Sequence, residues 1–139
     1  MSDISSEDLL RKMQAARDSV MDEFRPEAVA KRHNQGLMTA RERVDKLFDE
    51  DSFREMGALV QPDRSNPLNK DLKAPADGAV TGTGLINGRE ACILSQDYTV
   101  HGGSTGSAAD KKTIRLSQRA LDRGLPLVLL LEGGGHRIQ

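Results

Sequence analysis

Leu9, Leu10, Met13, Val20, Met21 and Phe24 recur mostly three or four positions apart, with charged side chains on the opposite face. That spacing is the period of a helix with one apolar stripe. Ser5 and Ser6 can cap it, Glu7 and Asp8 put negative charge in its first turn, and Pro26 breaks it. A short helical piece around 27–32 follows, stopped by Gly36. Thr39 and Glu42 are spaced as a capping box ahead of Val44, Leu47 and Phe48, which predicts a third helix. Its charged residues Arg41, Arg43, Asp45 and Lys46 read as a solvated face. Residues 61–76 lose the apolar period and gain Pro, Asn, Asp, Lys and Ser, so a long loop is expected. Two strands, 79–86 and 90–95, then flank Asn87-Gly88 as a hairpin. After a small-residue stretch at 97–106, Ala108, Ile114, Leu116 and Leu121 predict a helix ended by Gly124 and Pro126. The apolar run 127–131 suits a strand buried on both faces. Strand, glycine-rich loop, helix and strand make a right-handed parallel βαβ crossover.

Composition narrows the classes. A chain of 139 residues with 37% hydrophobic and 29% charged residues fits one globular α/β domain. The formal net charge of −1 supplies no broad positive field, so neither nucleic acid nor an anionic membrane is an expected partner. No apolar run approaches the roughly 18 residues of a membrane span, and the first residues, MSDISSED, are acidic. Cys92, the single cysteine, sits in an apolar run and reads as a small buried hydrophobe in a reducing, cytoplasmic compartment.

Candidate chemistry concentrates in two glycine-rich turns, HGGSTG at 101–106 and EGGGHR at 132–137, each after an apolar strand. Ligands of open α/β sheets bind beyond the carboxyl ends of the strands, so both turns are expected at one edge, facing each other. Glycine leaves backbone N–H groups uncovered, and two of them converging on one point make an oxyanion hole. The same glycines could simply permit tight turns. A phosphate-binding loop is the weaker reading, because the Gly-Lys-Ser/Thr ending is missing and Lys111 and Lys112 lie too far along, and a dinucleotide fingerprint fails at Asn87. His101 and His136 have no partner at ligand spacing, so no metal site is expected. His136 reads either as an acid or base beside its turn or as an exposed polar residue at a helix start. Ser104 lacks a base and the nucleophile-elbow pattern.

The segments TARERVDKLFDEDSFREMGALV, ADGAVTGTGLINGRE, SQDYTVHGGSTGSAADKK and EGGGHRIQ together resemble the N-terminal part of the carboxyltransferase (beta) subunits of biotin-dependent acyl-CoA carboxylases, the propionyl-, acetyl- and methylcrotonyl-CoA type. The resemblance runs from about Glu27 to the last residue. It implies a partial crotonase-like (ClpP/crotonase) α/β spiral core preceded by N-terminal helices. Residues 1–50 are then a helical segment, and 51–139 the first part of the N-terminal carboxyltransferase domain, cut short at its C-terminus and inactive alone. It further implies transfer of a carboxyl group from carboxybiotin to the α-carbon of an acyl-CoA through an enolate held by backbone N–H groups. Biotin would ride on a separate carrier chain, since Lys12 and Met13 lie in an amphipathic helix rather than a carrier hairpin. A biotin carboxylase/biotin carrier subunit and further copies of the chain are the implied partners. Carried over by position, Gly134 and Gly135 match the paired glycines of the family's Gly-Gly-Ala-Arg-Ile-Gln block, and Gly102 and Gly103 match its Phe-Gly-Gly-Ser block. These four are the expected catalytic groups, with Ser104, Gly106, Gly133 and His136 as acyl-CoA contacts. Gly133 stands where the family commonly has serine, His136 where it has alanine and His101 where it has phenylalanine, which implies an unusual acyl chain. The alternative is a non-catalytic scaffold protein that pairs through its amphipathic helices with a larger carboxylase subunit.

Overall fold

The computed structural model describes residues 5–138. Helix α1, Ser6–Asp18, is capped by the Ser5 hydroxyl, which accepts from the Asp8 N–H. It is shorter than its apolar period suggested: the chain leaves the helix before Val20, which is buried, and makes a 3₁₀ turn at Asp22–Phe24. No residue of α1 is buried, and Leu9 and Leu10 are 55% and 61% exposed, so its apolar stripe is left largely uncovered among the described residues. Pro26 is the first residue of α2, Pro26–Asn34, where its fixed φ suits the first turn. Helix α3, Ala40–Leu47, forms both halves of the Thr39–Glu42 capping box.

Strands β1 (Arg54–Glu55), β2 (Ala79–Ile86), β3 (Arg89–Gln96) and β4 (Leu127–Leu130) lie side by side in that order. The β2–β3 hairpin is antiparallel and β3–β4 is parallel, connected by α4, Ser107–Arg123. Successive β3 residues point to opposite faces, and both faces are covered. On one, Ala91 and Ile93 join Val80 against Ala40, Val44 and Phe48. On the other, Cys92 and Leu94 pack on Leu116 and Ala120 of α4. This explains the unbroken apolar run of β3, and Cys92 is buried as a free thiol.

Three expectations need correction. The run 127–131 is only half covered: Leu129 is 49% and Leu131 65% exposed, because β4 is the edge strand of the described sheet. Helix α4 turns Ala109, Lys112, Leu116 and Ala120 inward, whereas Ile114 and Leu121 are 69% and 76% exposed. Small alanines let the helix axis approach the sheet, and the bulkier residues face out. Arg41 and Arg43 are not solvated. Arg41 forks onto Glu55 at 2.8 and 3.1 Å and also donates to Val20 O, while Arg43 donates to Gln96 O. No helix among the described residues is long and apolar enough to cross a membrane.

Candidate functional site

Parallel pairing of β3 and β4 sends both chains out of the same sheet edge, and the two glycine turns continue side by side. Gly134 N–H donates to Gly102 O at 3.1 Å, Thr105 N–H to Gly135 O at 3.1 Å, and Arg137 N–H to Thr105 O at 2.7 Å. Thr105 and His136 are thereby paired in parallel. The turns touch most closely at Gly103 and Gly133. A Cβ on Gly103, which has φ +76°, would overlap Glu132 O, and one on Gly133 would overlap Gly103 O. Glycine at these two positions is required by the approach of backbone to backbone.

This contact divides the donors. Gly103 N–H is engaged by Val100 O at 2.9 Å and Gly134 N–H by Gly102 O. The N–H groups of Gly102, Gly133 and Gly135 make no hydrogen bond among the described residues. Unpaired amides at the end of a parallel sheet can serve an oxygen that gains negative charge.

Beneath the turns lies an ion pair that the sequence did not announce. Asp77 is fully buried, with φ +52° immediately after Ala76 at φ +51°. Its Oδ2 accepts Ala109 N–H at 2.8 Å, so it caps α4 from a distant segment, while its Oδ1 takes the Arg137 guanidinium. Arg137 also donates to Ser104 O, with Ser104 Oγ 3.5 Å away. Gly106 precedes α4 as its cap residue. A Cβ there would sit 2.8 Å from both Arg137 Nη2 and Asp77 Oδ2, so the missing side chain is the space through which the pair closes. Gly106 thus lies against the clamp, Ser104 is tied to it through its carbonyl, and His136 stands at the surface.

His136 is half exposed, with Nδ1 3.6 Å from Asp110 Oδ2. His101, at φ +47°, sets its Nε2 2.9 Å from Lys73 O and so pins the 61–76 loop to the first turn. The same end of that loop is held by Lys112, whose Nζ donates to Ala76 O at 3.0 Å and to Ala79 O. Burial pulls the Lys112 ammonium down to about 8, against the smaller upward pull of Glu55 and Asp77. Among the described residues no group of three or more His, Cys, Asp or Glu could hold a metal ion. Asp77 could have been suspected only as an acid preceding a strand; its partners lie 32 and 60 residues away.

Residues 31–139 match the family model described as the carboxyl transferase domain. The biotin-dependent acetyl-/propionyl-coenzyme A carboxylase beta5 subunit of Mycobacterium tuberculosis is 43% identical over 131 residues, covering 94% of this chain and 24% of that protein. The propionyl-CoA carboxylase beta chain of Saccharopolyspora erythraea is 45% identical over 113 residues, 81% of this chain and 20% of that one. Among solved structures, a transcarboxylase 12S hexamer with methylmalonyl-coenzyme A and methylmalonic acid bound superposes with a TM-score of 0.85 at 35% identity, covering 97% of this chain and 26% of that one. The chain spans about a quarter of the length of such relatives. The expected partial crotonase-like α/β core is the fold it shares with them. On the family match and these identities together, the chain belongs to the carboxyl transferase domain family.

Proposed function

We propose that this chain supplies an oxyanion-binding corner of a biotin-dependent acyl-CoA carboxyltransferase, which moves a carboxyl group to the α-carbon of an acyl-CoA. The observation that carries the reading is the side-by-side pairing of the two turns, which leaves the Gly102, Gly133 and Gly135 amides unengaged at one sheet edge. Removing an α-proton from a thioester makes an enolate, and the negative oxygen needs donors that are already in place. One such donor is worth about 2.7–4 kcal/mol of barrier. The local cation, Arg137, is committed to Asp77 and Ser104 O, so the turns offer N–H dipoles rather than a full charge. Such a set suits an oxygen that is neutral in the substrate and negative only in the transition state.

Carboxybiotin, brought by a separate carrier chain, supplies the carboxyl group and the base for the α-proton. Within this chain, Gly103 and Gly133 hold the turns in contact, and the Asp77–Arg137 pair holds them against α4. His136 and Ser104 border the place where the acyl chain approaches, and Gly106 serves that border from below. In this reading residues 51–139 begin the catalytic domain, 1–50 are its helical lead-in, and the described residues alone do not turn over substrate. The enzyme is a cytoplasmic homo-oligomer that works with a biotin carboxylase/biotin carrier subunit.

The test is carboxylation of acetyl-CoA and propionyl-CoA by the intact protein with a carboxylated carrier. Gly103→Ala is expected to lower kcat by about 10²–10³-fold, the loss of roughly one donor's alignment. Gly134→Ala is expected to lose far less, since its Cβ would lie 3.8 Å from Gly102 O. Full activity in Gly103→Ala would end this reading. The exposed stripe of Leu9, Leu10 and Met13 favours a second role in assembly. Partner binding that survives without residues 120–139, in a protein that binds no acyl-CoA, would put the scaffold role first.

A further inference from the structure

We infer that Arg32 is a positioning residue for both glycine turns; its catalytic consequence rests on the carboxyltransferase reading, its geometry does not. Arg32 belongs to α2, outside the sheet, yet it is only 4% exposed. A guanidinium is kept in such a place only where its charge is matched. Its Nη2 donates to the two carboxylate oxygens of Glu132 at 2.7 and 2.6 Å, and to Met38 O at 3.2 Å. Its guanidinium carbon lies 4.8 Å from the centre of the Tyr98 ring, within cation–π range. Glu132 immediately precedes Gly133, Gly134 and Gly135, and Tyr98 stands three residues before His101, where the first turn begins. One cation on α2 therefore grips the chain leading into each turn.

The grip is separable from the charge balance of Glu132. Arg43 Nη2 lies 3.2 Å from Glu132 Oε2, and the Glu132 N–H donates to Gln96 Oε1 at 2.7 Å. Without Arg32, Glu132 keeps a cation and its backbone bond; what is lost is the tie to Tyr98 and α2. The turns meet at Gly103 and Gly133, where no side chain can take up slack. A shift of about 1 Å in a positioned group can cost about 10²-fold in rate. The loss belongs in kcat, because Arg32 touches the turns' approaches and not the face that an acyl-CoA would meet.

The experiment uses Arg32→Met and Arg32→Lys in the intact protein. Amide hydrogen exchange over 98–106 and 131–138 is read beside steady-state kinetics with propionyl-CoA and a carboxylated biotin carrier. Arg32→Met is expected to speed exchange in both segments by roughly tenfold or more, and to lower kcat by about 10- to 100-fold. KM for propionyl-CoA should stay within about threefold of wild type. Arg32→Lys, which can still pair with Glu132 and face Tyr98, should recover part of both losses. Unchanged exchange in either segment overturns the inference, and so does a lower thermal midpoint with normal kcat. Should Arg32→Met fail to fold, Tyr98→Leu cuts the tie to the first turn without stranding a charge and leaves the Arg32–Glu132 pair in place, so exchange should speed at 98–106 and stay near wild type at 131–138; unchanged exchange at 98–106 overturns the inference. A wild-type protein that carboxylates no acyl-CoA would remove the functional reading, while the exchange arm would still decide whether Arg32 holds the turns.

Discussion

Asp77→Ala is expected to loosen the second glycine turn and the start of α4 together. The Asp77 side chain is 0% and the Arg137 side chain 9% exposed, so their contact lies out of water. Deleting one partner of a buried pair costs about 3–5 kcal/mol, because the surviving charge has no counter-ion. The hydrogen bond from Ala109 N–H goes with the same carboxylate, and a helix cap by itself is worth about 1 kcal/mol, so the unmatched arginine dominates. No relief of strain offsets the loss, since alanine tolerates φ +52° no better than aspartate does. Asp77→Asn keeps an oxygen for Ala109 but turns an amide NH2 toward the guanidinium and removes the counter-charge, so it should save only the cap, about 1 kcal/mol, of the Asp77→Ala cost. Combining Asp77→Ala with Arg137→Met removes the stranded cation and should restore part of the stability. Native-state hydrogen exchange on the intact protein reads this locally, at amides 107–112 and 132–138. A loss of about 3–5 kcal/mol is roughly 10²–10⁴-fold faster exchange where opening is local. Two results would refute the reasoning: exchange within about threefold of wild type in Asp77→Ala, or single and double variants that add to within about 0.5 kcal/mol.

Two further outcomes follow from the same region. Lys112, lowered by burial from 10.5 to about 8, gives up its charge progressively above pH 8 in the folded protein but keeps it up to about 10.5 when unfolded. Stability must therefore rise with pH across that window, by about 3 kcal/mol at full extent; denaturant midpoints of wild type minus Lys112→Met at pH 7.5 and pH 10.5 check it, and a flat difference counts against it. Gly133→Ser, which installs the side chain common in the resembling family, is expected to act as overpacking, because its Cβ would overlap Gly103 O. A cost of about 1–3 kcal/mol should appear as faster exchange in both turns and a lower kcat, and a fully active serine variant would show that the turns can part freely.

Signals confined to a few neighbouring residues were legible in the sequence. Asn87-Gly88 joins β2 and β3 at the expected place, the Thr39–Glu42 box opens α3, and Gly124 ends α4 in the left-handed conformation. The capping-box partners are three residues apart and the Gly124 N–H bonds to Ala120 O four residues back, so local chemistry decides those outcomes; the Asn87-Gly88 turn type is local too, although Asp49, 38 and 39 residues away, holds its two N–H groups. The parallel crossover was legible for a similar reason, since a helix between two apolar strands leaves few ways to return. What failed involved reach. Periodicity sends Arg41 and Arg43 to solvent, but their side chains are long enough to cross to Glu55 and Gln96 O. It also selects Ile114 and Leu121 for the inner face of α4, whereas the sheet needs the small Ala109 and Ala120 there. Nothing local marks Asp77, Arg32 or Glu132, because each acts on residues dozens of positions away.

The glycine turns combine both cases. Their position at the carboxyl ends of two strands was readable, and so was their meeting at one edge. Which glycine does what was not, because a missing Cβ and an unengaged N–H look the same in a sequence. Strands in a sheet run about 4.8 Å apart, and backbones that leave two parallel neighbours at that spacing and turn toward each other can touch only where side chains are absent. Gly103 meets that demand, and its own N–H is then taken by Val100 O. Gly102 and Gly135 have open space beside them but a backbone, at φ +64° and +117°, that strains any side chain, and they keep their amides unengaged among the described residues. Gly133 belongs to both groups: its Cβ is excluded and its N–H is unengaged. Packing and donation are therefore divided among adjacent residues of the same turn. A substitution at Gly103 tests the first, whereas a side chain at Gly102 strains the backbone at φ +64° and leaves its N–H in place, so the two need not fail in the same way.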